Sequence, residues 1–436
     1  MSLLQPRMVS SALQRAKSLL TKQFTYDLPQ SSIATKPLQN RSSSKLLVVP
    51  RHEQVMHANF SQLPHLIPEN SLLILNSSRV IPARLHMFKP SGGKAELLLL
   101  NHLSETTARA MCSPLHAQQW RVLVGGKNIR VGHELRFSVD AQSDVAARVI
   151  DRDQNRATVR FECASQCKTL LLTEFLDQRG NPPLPPYMRR RSQQEDRQNY
   201  QTVYASEHGS VAAPTAGLHI TDQLLEDIQR RGIRTREIIL HIGIGTFQQL
   251  ETPIAGTHDM HEESLSVSGH AVADVLSQIR KGAPVVAVGT TSVRTMESLY
   301  WFGVRLMREP HSRFSHSLSV GQWEPYEAMD ADLSLPPAEE ALSAVLEWIG
   351  GPTRSLHGST KLLIVPGYPF KTIDALITNF HQPRSTLLML VSAFYGGESN
   401  ELISIYEHAL RHDYRFLSYG DSSIYAGPDF FAQGVL

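Results

Sequence analysis

The sequence predicts an α/β fold class: a main α/β domain interrupted by a small antiparallel β-barrel domain. Strand patterns alternate with helical patterns in the second half of the chain, which is typical of an α/β sheet. Residues 84–184 instead contain many short β runs separated by turn signals, as in a small barrel. The stretch Pro182–Pro186 ends this region, because a proline-rich segment fits neither a helix nor a central strand. We therefore predict a barrel domain over 84–184 and an α/β domain over 24–83 and 185–436.

Composition is typical of a soluble protein with two or three domains. The 436 residues are 41% hydrophobic and 19% charged, and the formal net charge of +2 neither indicates nor excludes a nucleic-acid partner. An iron–sulfur motif of the C-x3-C-x2-C type would need a third cysteine after Cys163 and Cys167, but that position is Leu170. We therefore interpret these two residues as ordinary cysteines. The apolar run at 387–394 is too short to cross a bilayer. We predict a cytoplasmic protein with no membrane partner.

The first 22 residues form a basic extension. They contain Arg7, Arg15, Lys17 and Lys22, several serines and no acidic residue. This composition fits an organelle transit peptide, an amphipathic helix or a disordered tail. We predict a flexible extension over residues 1–23, with organelle import as the alternative to a cytoplasmic location.

Two predicted strands, Lys45–Val49 and Ser71–Leu75, precede the barrel. The second is apolar without interruption, as in a strand buried on both faces. Arg79 and Arg84 follow it. Because a guanidinium group offers a planar fork of donors, this pair suits a carboxylate or a phosphate, with surface ion pairs as the alternative.

The predicted barrel is followed by an arginine run. No barrel residue shows a catalytic spacing, which indicates a role in recognition or support. Arg189, Arg190 and Arg191 come directly after the proline-rich stretch and suit contacts to an RNA backbone, with a solvated surface as the alternative. The predicted barrel strands are Ala95–Leu100, Trp120–Val124, Glu134–Val139, Val145–Asp151 and Ala157–Phe161.

Small residues over 209–217 precede a helix that Thr221 can cap and Gly232 can end. A glycine-rich loop at a helix N-terminus suits an anion or a carboxylate, and a tight turn is the alternative. Thr215, Gly217 and His219 lie in or beside this loop.

The later chain repeats this arrangement of a strand followed by a small polar loop. The predicted strand Thr235–Ile242 contains His241 and leads into Gly243, Gly245 and Thr246. The predicted strand Pro284–Val288 leads into Thr290 and a helix that carries Arg294. Such loops gather at the carboxyl ends of parallel strands, where ligands bind. Further predicted elements are a strand at Lys361–Val365 and helices at Leu387–Phe394 and Glu401–Arg411.

The segment His258-Asp-Met-His261-Glu-Glu263 carries two histidines and carboxylates. The order of a zinc-protease motif is absent, so we predict no metal. An imidazole titrates near pH 6.5, which makes these histidines candidates for proton transfer.

Several segments together resemble the S-adenosylmethionine:tRNA ribosyltransferase-isomerase family of queuosine synthesis. The resemblance covers most of the chain, from Phe24 to Tyr425. It implies an α/β domain interrupted by a small β-barrel, and transfer of the ribosyl part of S-adenosylmethionine to 7-aminomethyl-7-deazaguanine in the wobble position of a tRNA. Epoxyqueuosine forms, adenine and methionine leave, and no metal is required. The segments are SSRVIPARL, NYQTVYA, GSVAAPTAGLHIT, LHIGIGTF, HDMHEE, VVAVGTTSVRTMESL, PGYPFKTIDALITNFHQPRSTLLMLVSAFYGG and YRFLSYGD.

Pattern and resemblance together predict the site. A sulfonium acidifies the neighbouring C5′ hydrogens and adenine leaves on protonation, so a histidine suits either proton step. Glu263 suits the positive charge of the sulfonium, and Arg294 suits the carboxylate of the cofactor. We predict tRNA binding by Arg189, Arg190 and Arg191. The predicted catalytic residues are His219, His258, His261 and Glu263. The predicted substrate-binding residues are Arg79, Arg84, Thr215, Gly217, His241, Gly243, Gly245, Thr246, Thr290, Arg294, Asn379 and His381.

Four departures from the family pattern leave alternatives open. The usual Asn-Asp-Thr-Arg reads Asn76-Ser-Ser-Arg79, and the usual proline near Val124 is replaced by Gly125-Gly126. The N-terminal extension is longer than usual, and residues 300–358 look like an insertion. One alternative is a paralogue that uses S-adenosylmethionine with another acceptor. The other is a catalytically silent RNA-binding module. We predict a monomer.

Overall fold

A computed structural model describes residues 11–137, 144–247, 249–309, 318–331 and 334–431. The described residues fall into two compact units. The sheet unit takes the chain up to Asn76, then Thr215–Leu240, and then the chain from Gly245 onwards. The barrel unit comprises Ser77–Pro214 and His241–Ile244.

The helices and strands are numbered in chain order. The strands are β1 (Lys45–Pro50), β2 (Met56–Asn59), β3 (Leu72–Asn76), β4 (Ser78–Val80), β5 (Arg84–Phe88), β6 (Lys94–His102), β7 (Gln119–Gly125), β8 (Glu134–Arg136), β9 (Val145–Asp153), β10 (Arg156–Cys163), β11 (Gly180–Asn181), β12 (Glu207–Ser210), β13 (Arg234–Leu240), β14 (Glu263–Ser268), β15 (Val285–Val288), β16 (Leu318–Val320), β17 (Ser355–Thr360), β18 (Ala375–Asn379) and β19 (Ser422–Ala426). The helices are α1 (Ala12–Ser18), α2 (Leu63–Leu66), α3 (Thr107–Met111), α4 (Leu172–Arg179), α5 (Asp196–Asn199), α6 (Asp222–Arg230), α7 (Gly269–Arg280), α8 (Thr290–Arg308), α9 (Glu324–Asp330), α10 (Ala338–Trp348), α11 (Thr386–Tyr395), α12 (Ser399–Arg411) and α13 (Pro428–Phe431).

The sheet unit is built on a ten-stranded sheet with the strand order β16-β17-β14-β13-β3-β15-β18-β19-β1-β2. The central strands β13, β3, β15 and β18 run parallel. Every residue of β3, β15 and β18 is buried, as the uninterrupted apolar sequence of a parallel central strand requires. Strand β14 runs antiparallel to β13, so its first residue, Glu263, lies at the edge where the parallel strands end. This arrangement confirms the predicted α/β class and brings the strand-end loops to one edge.

The barrel unit contains a closed antiparallel barrel. Its strands follow the order β5-β6-β7-β10-β9-β8, and pairing of Phe88 with Arg136 closes the ring from β5 to β8. Trp120, Phe161 and Phe175 lie in its core. The predicted interrupting β-barrel is therefore confirmed. Its third predicted strand, Glu134–Val139, ends at Arg136 in the structure, and residues 138–143 lie outside the described part of the chain.

The compact barrel unit extends beyond the predicted 84–184 boundaries. Strand β12 pairs in parallel with β4, which places both flanks of the barrel in the same unit. The Val211 N–H also donates to the Ile242 carbonyl at 3.0 Å, which ties the short segment 241–244 to it. Long-range pairing of this kind leaves no local trace in the sequence.

The predicted strand Lys361–Val365 is wrong. The strand is β17, which ends at Thr360, and residues 362–365 follow it as a buried segment outside the sheet. Their apolar run reflects burial on all sides, and periodicity cannot distinguish this from a buried strand. Strands β14, β18 and β19 have no counterpart among the predicted elements.

The extension that was predicted to be flexible contains helix α1 within residues 11–23; residues 1–10 lie outside the described part. Ser11 caps the N-terminus of helix α1, because its hydroxyl accepts from the Gln14 N–H. The N–H groups of Ala12 and Leu13 donate to the Asp330 carboxylate at 2.5 and 3.0 Å, and Ala16 is buried. The helix is therefore held by packing against α9.

The predicted insertion at 300–358 is integrated into the sheet unit. Helix α8 continues into it as far as Arg308, and strands β16 and β17 extend the sheet at one end. Helix α10 packs closely on α8 at Gly303. A Cβ at this position would lie only 2.2 Å from the Ala341 carbonyl oxygen. Among the described helices, none is long and apolar enough to cross a membrane.

Candidate active site

A cleft at the strand-end edge of the sheet unit brings together part of the predicted site. It holds about 540 Å³ of space, some of it open to solvent. Its lining combines polar and charged side chains with apolar ones. The lining residues are Gly245, Thr246, His258, Met260, His261, Glu263, Arg294, Leu362, Leu363, Ile364, Thr386, Leu387 and Leu390.

A buried ion pair forms part of the polar lining. Arg294 donates through Nη1 to Glu263 Oε2, and the two side chains are only 7% and 5% exposed. Arg294 Nε donates to the Leu362 carbonyl at 3.0 Å, and the Thr246 hydroxyl donates to Glu263 Oε1 at 3.3 Å. A buried ion pair is stabilising only when its remaining polar atoms are also satisfied.

One atom of this pair is unsatisfied. Arg294 Nη2 is buried and has no hydrogen-bond partner among the described residues. Leaving a charged donor unpaired in a buried position is unfavourable, so the atom is suited to an anionic ligand group. The sequence predicted separate ligand contacts for Arg294 and Glu263, whereas the structure pairs them and leaves a single guanidinium donor available.

The two cleft histidines lie on the loop before β14. His261 is exposed, and its ring packs on Gly245, where a Cβ would lie 2.2 Å from His261 Cδ2. Only glycine permits this approach. Burial, and then the proximity of His261, lower the pKa of His258, although Asp259 opposes the shift. An accessible imidazole and a second one held neutral at pH 7 suit proton transfer in either direction.

Gln322 holds this loop from the segment that was predicted as an insertion. Its side-chain Nε2 donates to the His258 carbonyl at 2.7 Å, and its Oε1 accepts from the Met260 N–H at 2.9 Å. The amide thus replaces the two hydrogen bonds that a neighbouring strand would make. Nothing in the local sequence around Gln322 predicts this contact.

His219 lies in a separate buried cluster. Its Nδ1 is 2.8 Å from the Ser44 hydroxyl, and its Nε2 accepts from Asn379 Nδ2 at 3.2 Å. Asn379 also accepts from the Thr215 hydroxyl at 2.8 Å. Burial lowers the pKa of His219 to about 4, and its ring packs on Phe60. With both ring nitrogens engaged, this environment favours a structural role for His219 over the predicted catalytic one.

His381 has a similar environment. Its Nε2 lies 2.9 Å from the Thr378 hydroxyl, and burial lowers its pKa to about 3. The Tyr26 hydroxyl donates to its carbonyl. These contacts favour packing over substrate binding. His219, His381, Asn379 and Thr215 are called the buried cluster below.

Two other predicted loops meet beside this cluster. Thr290 begins α8 after Gly289, whose φ of 93° suits glycine. A Cβ on Gly289 would lie 3.6 Å from the Ala216 Cβ, within the short turn Thr215–His219 that contains Gly217. The sheet edge therefore brings together the loops after β15 and before α6, as predicted.

The remaining predicted residues belong to the barrel unit. Arg84 pairs with Glu96 at 2.5 Å, which supports the alternative interpretation as an ion pair. Arg79 is exposed on β4. His241 Nδ1 lies 2.7 Å from the Ser78 hydroxyl, and Gly243 follows two residues later in the same unit.

The three predicted tRNA-binding arginines differ from one another. Arg190 makes two 2.7 Å hydrogen bonds to the two oxygens of Asp196, whose side chain is buried. Arg189 and Arg191 are exposed. The structure therefore assigns Arg190 to a local ion pair and leaves two arginines at the surface.

Comparison with known proteins identifies the family. The family model described as "Queuosine biosynthesis protein" matches residues 21–425. The chain belongs to this family. A relative from Natranaerobius thermophilus named S-adenosylmethionine:tRNA ribosyltransferase-isomerase is 37% identical over 92% of this chain and 98% of its own length. A relative of the same name from Xanthomonas oryzae is 37% identical over 92% of this chain and 95% of its own.

The family resemblance inferred from the motifs is therefore confirmed. Among solved structures, an S-adenosylmethionine tRNA ribosyltransferase from Thermotoga maritima is 27% identical, with a TM-score of 0.43 over 92% of this chain and 99% of that one. One departure from the queuosine family pattern now has a structural setting: Ser78, the third residue of the altered Asn-Ser-Ser-Arg segment, contacts His241.

Several cleft residues of this family member were not predicted. Met260, Thr386 and the segment Leu362–Ile364 line the cleft, and Gln322 holds its histidine loop. Thr386 follows Ser385, whose hydroxyl accepts from the Leu388 N–H at the start of α11. A Ser-Thr pair before an apolar run is a readable helix start. The sequence therefore contained that signal, but it gave no sign that the pair lies at the cleft.

Proposed function

We propose that the protein is an S-adenosylmethionine:tRNA ribosyltransferase-isomerase. It transfers and isomerises the ribosyl group of S-adenosylmethionine onto 7-aminomethyl-7-deazaguanine at the tRNA wobble position, with release of adenine and methionine. The observation that carries the proposal is the cleft, where a buried arginine with an unsatisfied donor lies beside two histidines. The name shared by relatives at 37% identity supports the same activity.

The ion pair of the cleft suits the amino-acid end of S-adenosylmethionine. Arg294 Nη2 would bind the carboxylate, because charge-assisted hydrogen bonds are the strongest available to a guanidinium group. Glu263 keeps the guanidinium group oriented and adds negative charge where a sulfonium must be tolerated. The pair would thus hold the methionine part while the chemistry takes place on the ribose.

The histidine loop suits the two proton steps. A base must remove a C5′ hydrogen acidified by the sulfonium, and an acid must protonate the departing adenine. His261 is the exposed member and is our candidate for the transfer that exchanges with solvent. His258, whose pKa burial lowers, is the neutral partner that suits proton abstraction.

The apolar part of the lining supports the same reaction. Leu363, Leu387 and Leu390 line the cleft together with the polar groups. Exclusion of water strengthens the electrostatic contacts of a charged substrate and protects a reactive intermediate from hydrolysis. A lining of both polar and apolar side chains suits a ligand with one charged end and one aromatic end.

The exposed arginines of the barrel unit supply the proposed tRNA contact. Arg189 and Arg191 follow a buried proline-rich stretch that presents them to solvent. Phosphate contacts of this kind position an RNA without reading its sequence. We further propose that the enzyme acts as a monomer, with S-adenosylmethionine as its co-substrate.

The deciding experiment measures products released from S-adenosylmethionine. We expect adenine and methionine to appear in equal amounts with epoxyqueuosine, and only when the tRNA carries the 7-aminomethyl-7-deazaguanine precursor. Release of S-adenosylhomocysteine would overturn the proposal in favour of methyl transfer. Adenine release with a different acceptor would indicate a paralogue, and tRNA binding without any release would indicate a silent RNA-binding module.

A further inference from the structure

Three histidines outside the cleft come together on the surface of the sheet unit. His57 lies on β2, the last strand of the sheet, and His408 and His412 lie one helical turn apart on and just after α12. One ring nitrogen from each histidine lies within 4.8 Å of the other two. We propose that these residues bind one divalent transition-metal ion of the zinc or nickel type.

The separation of two of the three nitrogens fits such an ion. His57 Nε2 and His408 Nε2 are 3.1 Å apart. With Zn–N bonds of about 2.0–2.1 Å in a tetrahedral site, two ligand nitrogens lie about 3.3 Å apart. The i,i+4 spacing of His408 and His412 places both rings on one helix face, which is the geometry a helical metal site uses.

The Nδ1 atoms of His57 and His412 already have the partners that metal-binding histidines use. His57 Nδ1 lies 3.0 Å from the Tyr414 hydroxyl, and His412 Nδ1 donates to the His408 carbonyl at 2.8 Å. A hydrogen bond at Nδ1 fixes the tautomer and turns the Nε2 lone pair towards the metal.

The surroundings of the three histidines also bear on which ion they would bind. Lys45 is a nearby positive charge that opposes the binding of a cation. Its ammonium group is held by the carbonyls of His412 and Asp413 at 2.8 and 3.1 Å. Neutral imidazole ligands favour zinc, nickel and copper over magnesium or calcium.

The ion would join the end strand of the sheet to α12, because it binds residues of both. None of the three histidines lines the cleft, so the site stands apart from the proposed reaction. The competing explanation is a hydrogen bond between His408 and His57 with no metal. A direct measurement of metal binding distinguishes the two explanations.

The test uses the full chain, stripped with a chelator and titrated with Zn²⁺ alone by calorimetry, with metal content measured after desalting. We expect one Zn²⁺ per chain and a higher thermal unfolding midpoint. His408→Ala should abolish the stoichiometric binding, and Tyr414→Phe should weaken it about 10–100-fold. His270→Ala is the matched control, since His270 is an exposed histidine on α7.

Circular dichroism of the metal-free variants shows whether each one folds. Absence of stoichiometric binding to the wild-type chain would overturn the proposal. So would binding that survives His408→Ala, or binding that is lost in His261→Ala and retained in His408→Ala, because that would place the ion in the cleft.

A second inference concerns the segment 300–358 and rests on the proposed function. We infer that this segment and the N-terminal extension together hold the histidine loop in place. Gln322 bonds both sides of the loop backbone, and the Leu19 carbonyl accepts from the Ala255 N–H at 2.9 Å just before the loop. Helix α1 is itself held by Asp330 of α9. Gln322 is thus a positioning residue.

Two variants separate the two hydrogen bonds. Gln322→Ala removes both, and Gln322→Glu keeps the acceptor for the Met260 N–H while it loses the donor to the His258 carbonyl. We expect Gln322→Ala to increase amide exchange at Met260 at least about 10-fold, since an N–H freed from a hydrogen bond exchanges through local opening. The Met260 amide should exchange more slowly in Gln322→Glu than in Gln322→Ala.

Adenine release should fall in kcat rather than KM, because the proton-transfer loop and not the ion pair is disturbed. Unchanged exchange at Met260 in Gln322→Ala would overturn the inference. Faster exchange in a chain that never releases adenine would support it while the proposed function fails.

Discussion

Two groups of histidines lie on loops at the same edge of the sheet, and their surroundings give them different properties. His219 and His381 are buried, have hydrogen-bonded ring nitrogens, and have pKa values lowered to about 4 and about 3. His258 and His261 line an open cleft beside a buried ion pair. The comparison teaches that a histidine in a family motif can serve packing as readily as proton transfer, and that burial decides between the two.

The largest effect that we expect comes from the ion pair. Arg294→Ala leaves the Glu263 carboxylate buried without its partner, which should cost about 3–5 kcal/mol of unfolding free energy and abolish S-adenosylmethionine binding. The double change Arg294→Met with Glu263→Leu removes both charges and should recover most of the stability without recovering binding. Urea unfolding and equilibrium dialysis measure the two quantities. Binding retained in the double variant would remove the ion pair from the site.

The buried cluster should appear in the pH dependence of stability. His219 has a lowered pKa in the folded protein, so between about pH 6.5 and pH 4 the unfolded chain binds a proton that the folded chain does not. Stability should therefore fall as pH decreases through this range, by about 1.4 kcal/mol per pH unit for each such histidine.

His219→Asn should remove one histidine's share of that slope, measured by urea unfolding at a series of pH values. It should also lower stability at pH 7 by about 1–3 kcal/mol, because Ser44 and Asn379 lose their partner. His270→Ala, at an exposed site, should leave the slope unchanged. An unchanged slope in His219→Asn would contradict the buried, neutral state assigned to this ring.

The smallest effect concerns a second contrast, between exposed and paired arginines. Removing Arg189 and Arg191 should weaken tRNA binding and reduce the salt slope of log K by about 0.7–0.9 for each lost phosphate contact. Arg190→Ala should leave the slope nearly unchanged and destabilise the chain, since Asp196 loses a two-point partner. Filter-binding titrations at several salt concentrations give the slopes. Equal slopes in both variants would remove this segment from the tRNA contact.

Much of the fold was readable from the sequence because its signals are local. An uninterrupted apolar run predicted β3, and short β runs separated by turn signals predicted β9 and β10. Thr221 caps α6 as predicted. The segment 361–365 was misassigned because an apolar run reports burial and not the type of backbone hydrogen bonding.

The site was readable only in part because its defining features depend on long-range contacts. The motifs indicated Glu263, Arg294 and the histidines as site residues, but not that Arg294 binds Glu263 across 31 residues. The role of Gln322 depends on a contact 64 residues away. Likewise, whether a histidine is exposed like His261 or buried like His219 depends on how the sheet edge is covered, which periodicity does not report.

The most direct test of the account is turnover by His261→Ala and His219→Ala, measured as adenine release per folded molecule at saturating S-adenosylmethionine and precursor tRNA. The account predicts that His261→Ala stays folded and loses about 10²–10⁴ in rate, the usual cost of removing a general acid or base. It predicts that His219→Ala loses stability while each folded molecule keeps nearly its normal rate. A normal rate in His261→Ala, or a rate loss in His219→Ala as large as that in His261→Ala, would contradict the assignment of the cleft as the proton-transfer site.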